Sequence, residues 1–480
     1  MPNSKLYGLK PESVFTYFEE ICAIPHGSGN TKLISDYFVD FAKRHNLKYV
    51  QDELNNVIIL GQGTCGYEDH DPVILQGHMD MVCEKDENCS LDMVKDGLNI
   101  IHDGKFVFAK GTTLGADDGI ALAYILALLS DDTIPHPPIE AVITVDEETG
   151  MLGADFIDLS ALKSRTLINI DSEEEGVFTA GCAGGVRATI RMPVERRAVY
   201  GPCIRLVVEG LRGGHSGVEI HKNRANANKV MGEFLSRVQK LMPLCLTSFS
   251  GGSKDNAIPR ACQATMVMLG MDAQPINAIA EQLQKQIREE YDEPDALVYG
   301  DNVDALGGNA LSAEQTAAVT SLLCSVPNGV QKMSRDVPNL VQTSLNLGIA
   351  KLEENMVLSF GVRSSVEAEK GELVDKLTFV AKSHDAEINL VGDYPAWEYR
   401  ADSPLREKML DIYRKMFNKE PIVNVIHAGL ECGLLGKKIP NLDCISIGPQ
   451  MYDIHTFRER LEIASVERTW NFLKEILKDL

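Results

Sequence analysis

A chain of 480 residues is longer than one hydrophobic core usually supports, so two domains are expected. Its 69 acidic against 47 basic residues give a formal charge of -22, which disfavours nucleic acid and anionic membrane as partners. The 11 cysteines are irregularly spaced with no C-x-x-C pair, a pattern of reduced thiols and not of a zinc knuckle or dithiol redox centre.

The opening segment Met1 to Glu12 carries no apolar core of signal-peptide length, and the most apolar run, Ile120 to Leu129, is about half a membrane span. A cytoplasmic protein is expected. Apolar runs at Asn56 to Leu60, Val73 to Gln76 and Ile139 to Val145 alternate with helical stretches, which predicts an α/β domain. Ile120 to Leu129 is too apolar on every side for a surface helix and is predicted to be buried.

From about Val186 the texture changes. Strands such as Cys203 to Val208 and amphipathic helices near Asn226 to Leu241 and Gln274 to Tyr291 predict a separate α+β domain. Gly392 to Trp397 reads as a connection, after which a helix from Pro404 and strands at Pro421 to Val425 and Cys444 to Ile447 restore the α/β texture. The expected organisation is one domain from residues 1–186 and 391–480, with 187–390 inserted into it. No heptad run or short repeat supports a fibrous or solenoid reading.

Several acidic or imidazole groups follow predicted strands: His78 with Asp80, the pair Glu147-Glu148, Asp171 after Thr166 to Ile170, and His455 beyond Cys444 to Ile447. In an open parallel sheet, residues just past the carboxyl ends of several strands converge on one crevice. Asp117 joins them from a turn in which Gly111 and Gly115 allow unusual backbone angles. Two imidazoles and three carboxylates suit an open catalytic site for two divalent ions, zinc or else manganese or cobalt, without the thiolates of a structural zinc site. Glu147, beside the candidate ligand Glu148, is the natural general base. Asp80, two residues from His78, is placed to accept the other imidazole N–H and orient the ring.

Each cluster also has a blander reading. Glu147-Glu148 could cap a helix starting near Thr149, and Glu173 to Glu175 read as a solvated acidic run. His215-Ser216 lacks the Gly-x-Ser-x-Gly spacing of a nucleophile elbow, so serine catalysis is set aside. Arg363 and Asn256 could be an ordinary strand-end arginine and a turn residue.

Taken together, Gly77-His78-Met79-Asp80, Gly115-Ala116-Asp117-Asp118-Gly119, Asp146-Glu147-Glu148-Thr149-Gly150, Asp171 and His455 resemble the di-zinc dipeptidase and carboxypeptidase superfamily. Gly111 to Gly119 and His427-Ala428-Gly429-Leu430-Glu431-Cys432-Gly433 look most like its aminoacyl-histidine (Xaa-His) dipeptidase branch. The resemblance implies a catalytic domain with a central, mostly parallel sheet and an inserted α+β lid. It implies one ion on His78 and Asp171, the other on Glu148 and His455, with Asp117 bridging and Glu147 as base.

By the same resemblance, His215 in Gly213-Gly214-His215-Ser216-Gly217 is the oxyanion donor, Asn256 and Arg363 hold the substrate's terminal carboxylate or tetrahedral oxygen, and the backbone of Gly429, in the catalytic domain, lies beside the substrate. His427 remains open between substrate contact and packed histidine. The implied partners are small peptides such as β-alanyl-histidine, with pairing of two chains through the lid left open. Tripeptidase and acylamino-acid deacylase activities share this metal set. A two-metal phosphoesterase fits the net charge poorly, and an inactive metal-binding scaffold has no use for Glu147.

Overall fold

The computed structural model describes residues 5–270, 274–335 and 337–480, so residues 1–4 of the opening segment lie outside it. The chain folds into two compact units. The first comprises Met1–Cys182, Tyr399–Val425 and Leu430–Leu480, and the second Ala183–Glu398 with Ile426–Gly429.

In the first unit, an eight-stranded sheet runs in the order Lys48–Gln51, Val57–Gly61, Ile139–Thr144, Val73–His78, Thr166–Asn169, Asp443–Ser446, Val177–Cys182, Ile422–Ile426. Its middle four strands are mutually parallel, and antiparallel strands flank them. Parallel strands covered on both faces need unbroken apolar sequence. Val73–His78 and Ile139–Thr144 are accordingly buried at every position.

The helix Ala116–Leu129 covers this sheet and is itself buried on every side, as its composition predicts. Tyr124 stacks on Trp470 at 5.9 Å and donates to the Val466 carbonyl at 3.0 Å, while Gly119 lets Phe18 of the helix Glu12–Cys22 pack close. A small four-stranded sheet orders Met451–Tyr452, Arg460–Glu462, Phe106–Ala109 and Ile100–His102, and so brings the hairpin carrying His455 beside the segment leading to Asp117.

The second unit is an antiparallel sheet with helices, including Ala227–Gln239 and Gln274–Glu290. Its strands order as Leu297–Leu311, Arg196–Glu209, Cys262–Met268, Leu244–Gly251, Val341–Leu352, Asn355–Ser364, Gly184–Pro193 and Glu387–Tyr394, with Gly329–Met333 also paired to Val341–Leu352. Gly392 to Tyr394 therefore end a strand and do not form a connection. That strand is an exposed edge, and the alternation begun by Ile388 and Leu390 breaks at Val391-Gly392-Asp393, so its end does not read as a half-buried strand.

The boundaries between the units fall at 183 and 398, against the expected 187 and 390, because the paired strands Gly184–Pro193 and Glu387–Tyr394 extend the second sheet at both ends. Gly429 falls in the second unit and not, as expected, in the first. The Ala183 N–H, donating to the Ile426 and Ala428 carbonyls at 3.0 Å, ties that short segment there. None of the 11 cysteines is in a disulfide, and no helix among the described residues is long and apolar enough to cross a membrane.

Candidate metal centre

Three adjacent parallel strands deliver acidic or imidazole groups at their carboxyl ends. His78 closes Val73–His78, Asp171 lies just past Thr166–Asn169, and Glu147-Glu148 follow Ile139–Thr144 through a turn in which Asp146 adopts φ 53°. The turn is pinned when the Gly29 N–H donates to Asp146 Oδ1 at 2.6 Å. The next helix begins only at Leu152, so Glu147-Glu148 do not cap a helix starting near Thr149.

Asp117 stands at the centre. Its Oδ1 lies 3.2 Å from His78 Nε2 and its Oδ2 lies 3.1 Å from His455 Nε2. His78 Nε2 is also 3.4 Å from Asp171 Oδ1, and His455 Nε2 is 2.7 Å from Glu148 Oε1. Two clusters, each of one imidazole and one terminal carboxylate, thus meet on opposite oxygens of a single aspartate. Possible ligand atoms of Asp117, Glu148 and His455 lie within 4.8 Å of one another, as do those of His78 with Glu147 and Glu148.

Backbone geometry makes this approach possible. Gly115, at φ 67°, takes the left-handed turn into Asp117, which itself departs from helical angles at ψ 102°. A Cβ at Gly77 would sit 2.4 Å from Asp118 Oδ2, the oxygen that accepts the His78 N–H at 3.2 Å. Only glycine there lets the buried Asp118 reach the strand.

Asp80 orients two groups. Its backbone carbonyl is the nearer partner of His78 Nδ1, at 2.9 Å, while its carboxylate lies 3.5 Å from that nitrogen. The expected carboxylate contact is therefore the longer one. Asp80 Oδ1 also accepts the Glu147 N–H at 3.0 Å, and Oδ2 accepts from Ser28 at 2.8 Å. One side chain thereby fixes both a candidate ligand and the candidate base.

Protons crowd into the cluster where cations would balance its charge. Burial raises the Glu147 carboxyl well above the usual range, and Asp171, Glu431 and Glu148 add to this against the opposing charge of His78. Burial, opposed by His78 and reinforced by Asp117 and Glu148, lifts Asp171 to about 7. Hydrogen bonding to Asp117 and Glu148 raises His455 to about 11. Asp117 moves the other way: burial pushes it up, but hydrogen bonds from His455 and His78 hold it low.

The second unit holds the remaining candidates. His215 Nδ1 accepts from the Gly217 and Val218 N–H groups, each at 3.2 Å. The ring's proton is thus confined to Nε2, and burial with the nearby Arg363 charge lowers its pKa, favouring a neutral N–H donor. Arg363, Asn256 and Ser216 line a cavity of about 260 Å³, where Arg363 donates to the Tyr394 hydroxyl at 3.0 Å. His427 is buried with Nε2 2.7 Å from Ser344 Oγ and with no hydrogen-bond partner at Nδ1. Burial, then the charges of Arg363 and His215, press its pKa down to about 3.

Sequence reasoning gives no role to two buried carboxylates. Glu459 accepts the backbone N–H groups of Leu114, Gly115 and Ala116 at 2.7, 3.1 and 2.8 Å, clamping the approach to Asp117. Glu431, fully buried, lies beneath the strand ends. Glu175, expected to be solvated, instead forms a bidentate pair with Arg468 at 2.6 Å for both contacts.

A model of peptidase family M20/M25/M40 matches residues 74–479, and the chain belongs to that family of metal-dependent peptidases. It is 37% identical to the cytosol non-specific dipeptidase of Escherichia coli K12 over 99% of both chains. The crystal structure of aminoacylhistidine dipeptidase from Vibrio alginolyticus aligns with a TM-score of 0.92 at 35% identity, covering 100% of this chain and 98% of that one. A Staphylococcus aureus tripeptidase shares the fold, with a TM-score of 0.56 at 17% identity over 98% of each chain.

The protonation pattern has a measurable consequence. Asp171, near 7, and His455, near 11, hold protons in the metal-free site that an entering cation must displace. Metal affinity is therefore expected to rise through neutral pH, by roughly tenfold per pH unit for each proton displaced. Calorimetric titration with zinc from pH 6 to 8, in buffers of different ionisation enthalpy, checks both the slope and the proton release.

Proposed function

We propose that this member of the M20/M25/M40 peptidases is a dipeptidase of Xaa-His and related dipeptides, β-alanyl-histidine among them. In this reading His78 and Asp171 would hold one divalent ion and Glu148 and His455 the other, with Asp117 shared between them. The observation that carries it is the placing of the two imidazoles on opposite oxygens of Asp117, at 3.2 and 3.1 Å. The imidazole and carboxylate donors suit zinc first, with manganese or cobalt also accommodated. The names of two relatives aligned over nearly their whole length, a non-specific dipeptidase and an aminoacylhistidine dipeptidase, support the substrate class, and the first supports a cytosolic setting.

Once bound, paired cations supply the Lewis acidity that polarises the scissile carbonyl and makes water acidic enough to react near neutral pH. The chain's own groups do the rest. Glu147, made more basic by burial and by its acidic neighbours, takes the proton of the attacking water and passes it to the leaving amine. Asp80 holds Glu147 through its backbone N–H. In the second unit His215, its tautomer fixed by the two N–H groups on Nδ1, is a neutral Nε2–H donor of the kind a developing oxyanion needs. Arg363 and Asn256, in the second unit, suit a terminal carboxylate, for which a guanidinium fork is well shaped, and Gly429 of the same unit would offer backbone to a peptide.

Glu147→Gln is expected to keep both ions while turnover falls by about 10²–10⁴-fold, the usual worth of a positioned base. Metal analysis beside steady-state kinetics on β-alanyl-histidine checks it, and unchanged turnover would remove Glu147 from the role. His215→Ala is expected to lower kcat by about 10²–10³-fold with metal content intact, as loss of an oxyanion donor does. Assays on tripeptides and N-acetyl amino acids, run alongside, separate the dipeptidase reading from tripeptidase and deacylase activity.

A further inference from the structure

Four buried polar side chains lie beneath the candidate metal centre, among parallel strands that are mostly apolar: Gln76, Thr144, Asn169 and Glu431, each at 0% exposure. Glu431 opens the helix Glu431–Lys438. Its Oε2 accepts from Gln76 Nε2 and from Thr144 Oγ, both at 2.6 Å, while Oε1 has no hydrogen-bond partner. Gln76 Oε1 accepts from Asn169 Nδ2 at 2.6 Å, and Asn169 Oδ1 is 3.4 Å from the Asp171 N–H. Gln76 and Thr144 are themselves linked at 3.2 Å.

The spacing of these residues gives the network its meaning. Gln76 is two residues before His78, Asn169 two before Asp171, and Thr144 closes the strand that leads into Glu147-Glu148. Residues two apart on a strand share a face, so the network braces the same three strand ends that present those groups. The register agrees, with Gln76 opposite Asn169 and His78 opposite Thr144. Sheet hydrogen bonds alone set the spacing of backbones. The carboxylate of Glu431 adds a shared acceptor that draws two neighbouring strands to one point. Burying such a group without water is costly unless it is hydrogen-bonded, and apolar residues would fill the same volume at lower cost.

We propose that Glu431 is a positioning residue of the hydrolysis, holding the strands that carry His78 and Glu147-Glu148 at a fixed spacing through Gln76 and Thr144. It does not touch substrate. The inference rests on the metal-centre reading above and deepens it by naming what supports the ligands from below. The requirement is for an acceptor oxygen at that point, so glutamine should serve where leucine cannot.

The test compares E431L, E431Q and Thr144→Val in the full-length chain, loaded with cobalt. Thr144→Val removes one of the two donors at nearly constant volume and guards against failure of E431L to fold. E431L is expected to lose about 10–100-fold in kcat, the range for removing an outer support of a metal site, and Thr144→Val about tenfold. In both, KM should stay within about twofold and the cobalt d–d absorption should shift. E431Q should retain kcat within about threefold and the parent spectrum.

Parental kcat and absorption in Thr144→Val and E431L would overturn the proposal, as would an E431Q loss equal to that of E431L. His78→Ala, measured alongside, separates the two levels. If it retains both cobalt ions, the metal assignment itself fails. If it loses one while the Thr144 and Glu431 variants stay parental, only the positioning role fails.

Discussion

The constraint on which the first unit's site depends is charge crowding around Asp117. Among the described residues, Asp117, Asp118, Glu147, Glu148 and Asp171 gather around the imidazoles of His78 and His455, with Asp117, Asp118 and His78 buried. Burying that many like charges unpaired is prohibitive, so without cations the site would have to take up protons. Burial raises Asp118 and Glu147 well above the carboxylate range, while the two imidazoles become stronger bases against Asp117, Asp171 and Glu148. Two divalent cations would replace those protons with fixed charge.

Holding such a cluster together takes a rigid frame. The parallel strands end at one level, so His78, Asp171 and Glu147-Glu148 converge without long loops. Asp117 and His455 come from elements far apart in the chain, and Glu459 joins them, since it sits on the His455 hairpin and grips three N–H groups ahead of Asp117. In the second unit, the turn at His215 is held in the same manner: the His215 N–H donates to Glu219 at 2.9 Å and the Ser216 N–H to the Asn256 carbonyl at 2.9 Å. In both places backbone N–H groups fix the group that must be aimed.

Much of this is legible in the sequence where the physics is local. Apolar runs such as Val73 to Leu75 and Ile139 to Ile143 mark buried parallel strands, and polar groups at their ends stand out against them. The helix Ala116–Leu129 shows its burial by composition alone. Edge strands do not stand out: Lys48–Gln51 and Glu387–Tyr394 are mostly exposed and carry no sustained apolar alternation. Partners distant in sequence are equally hidden. Glu175 reads as one acid among three until Arg468, 293 positions away, is seen to hold it. Glu459 and Glu431 are single acidic residues, and their partners lie up to 345 and 355 positions away.

The bridge at Asp117 is tested most directly by anomalous scattering from crystals of the zinc-loaded protein. The account predicts two ions about 4 Å apart, the usual spacing of paired catalytic metals, with one Asp117 oxygen on each, His78 and Asp171 on the first and Glu148 and His455 on the second. A single ion, or a second ion bound away from Asp117, would contradict it.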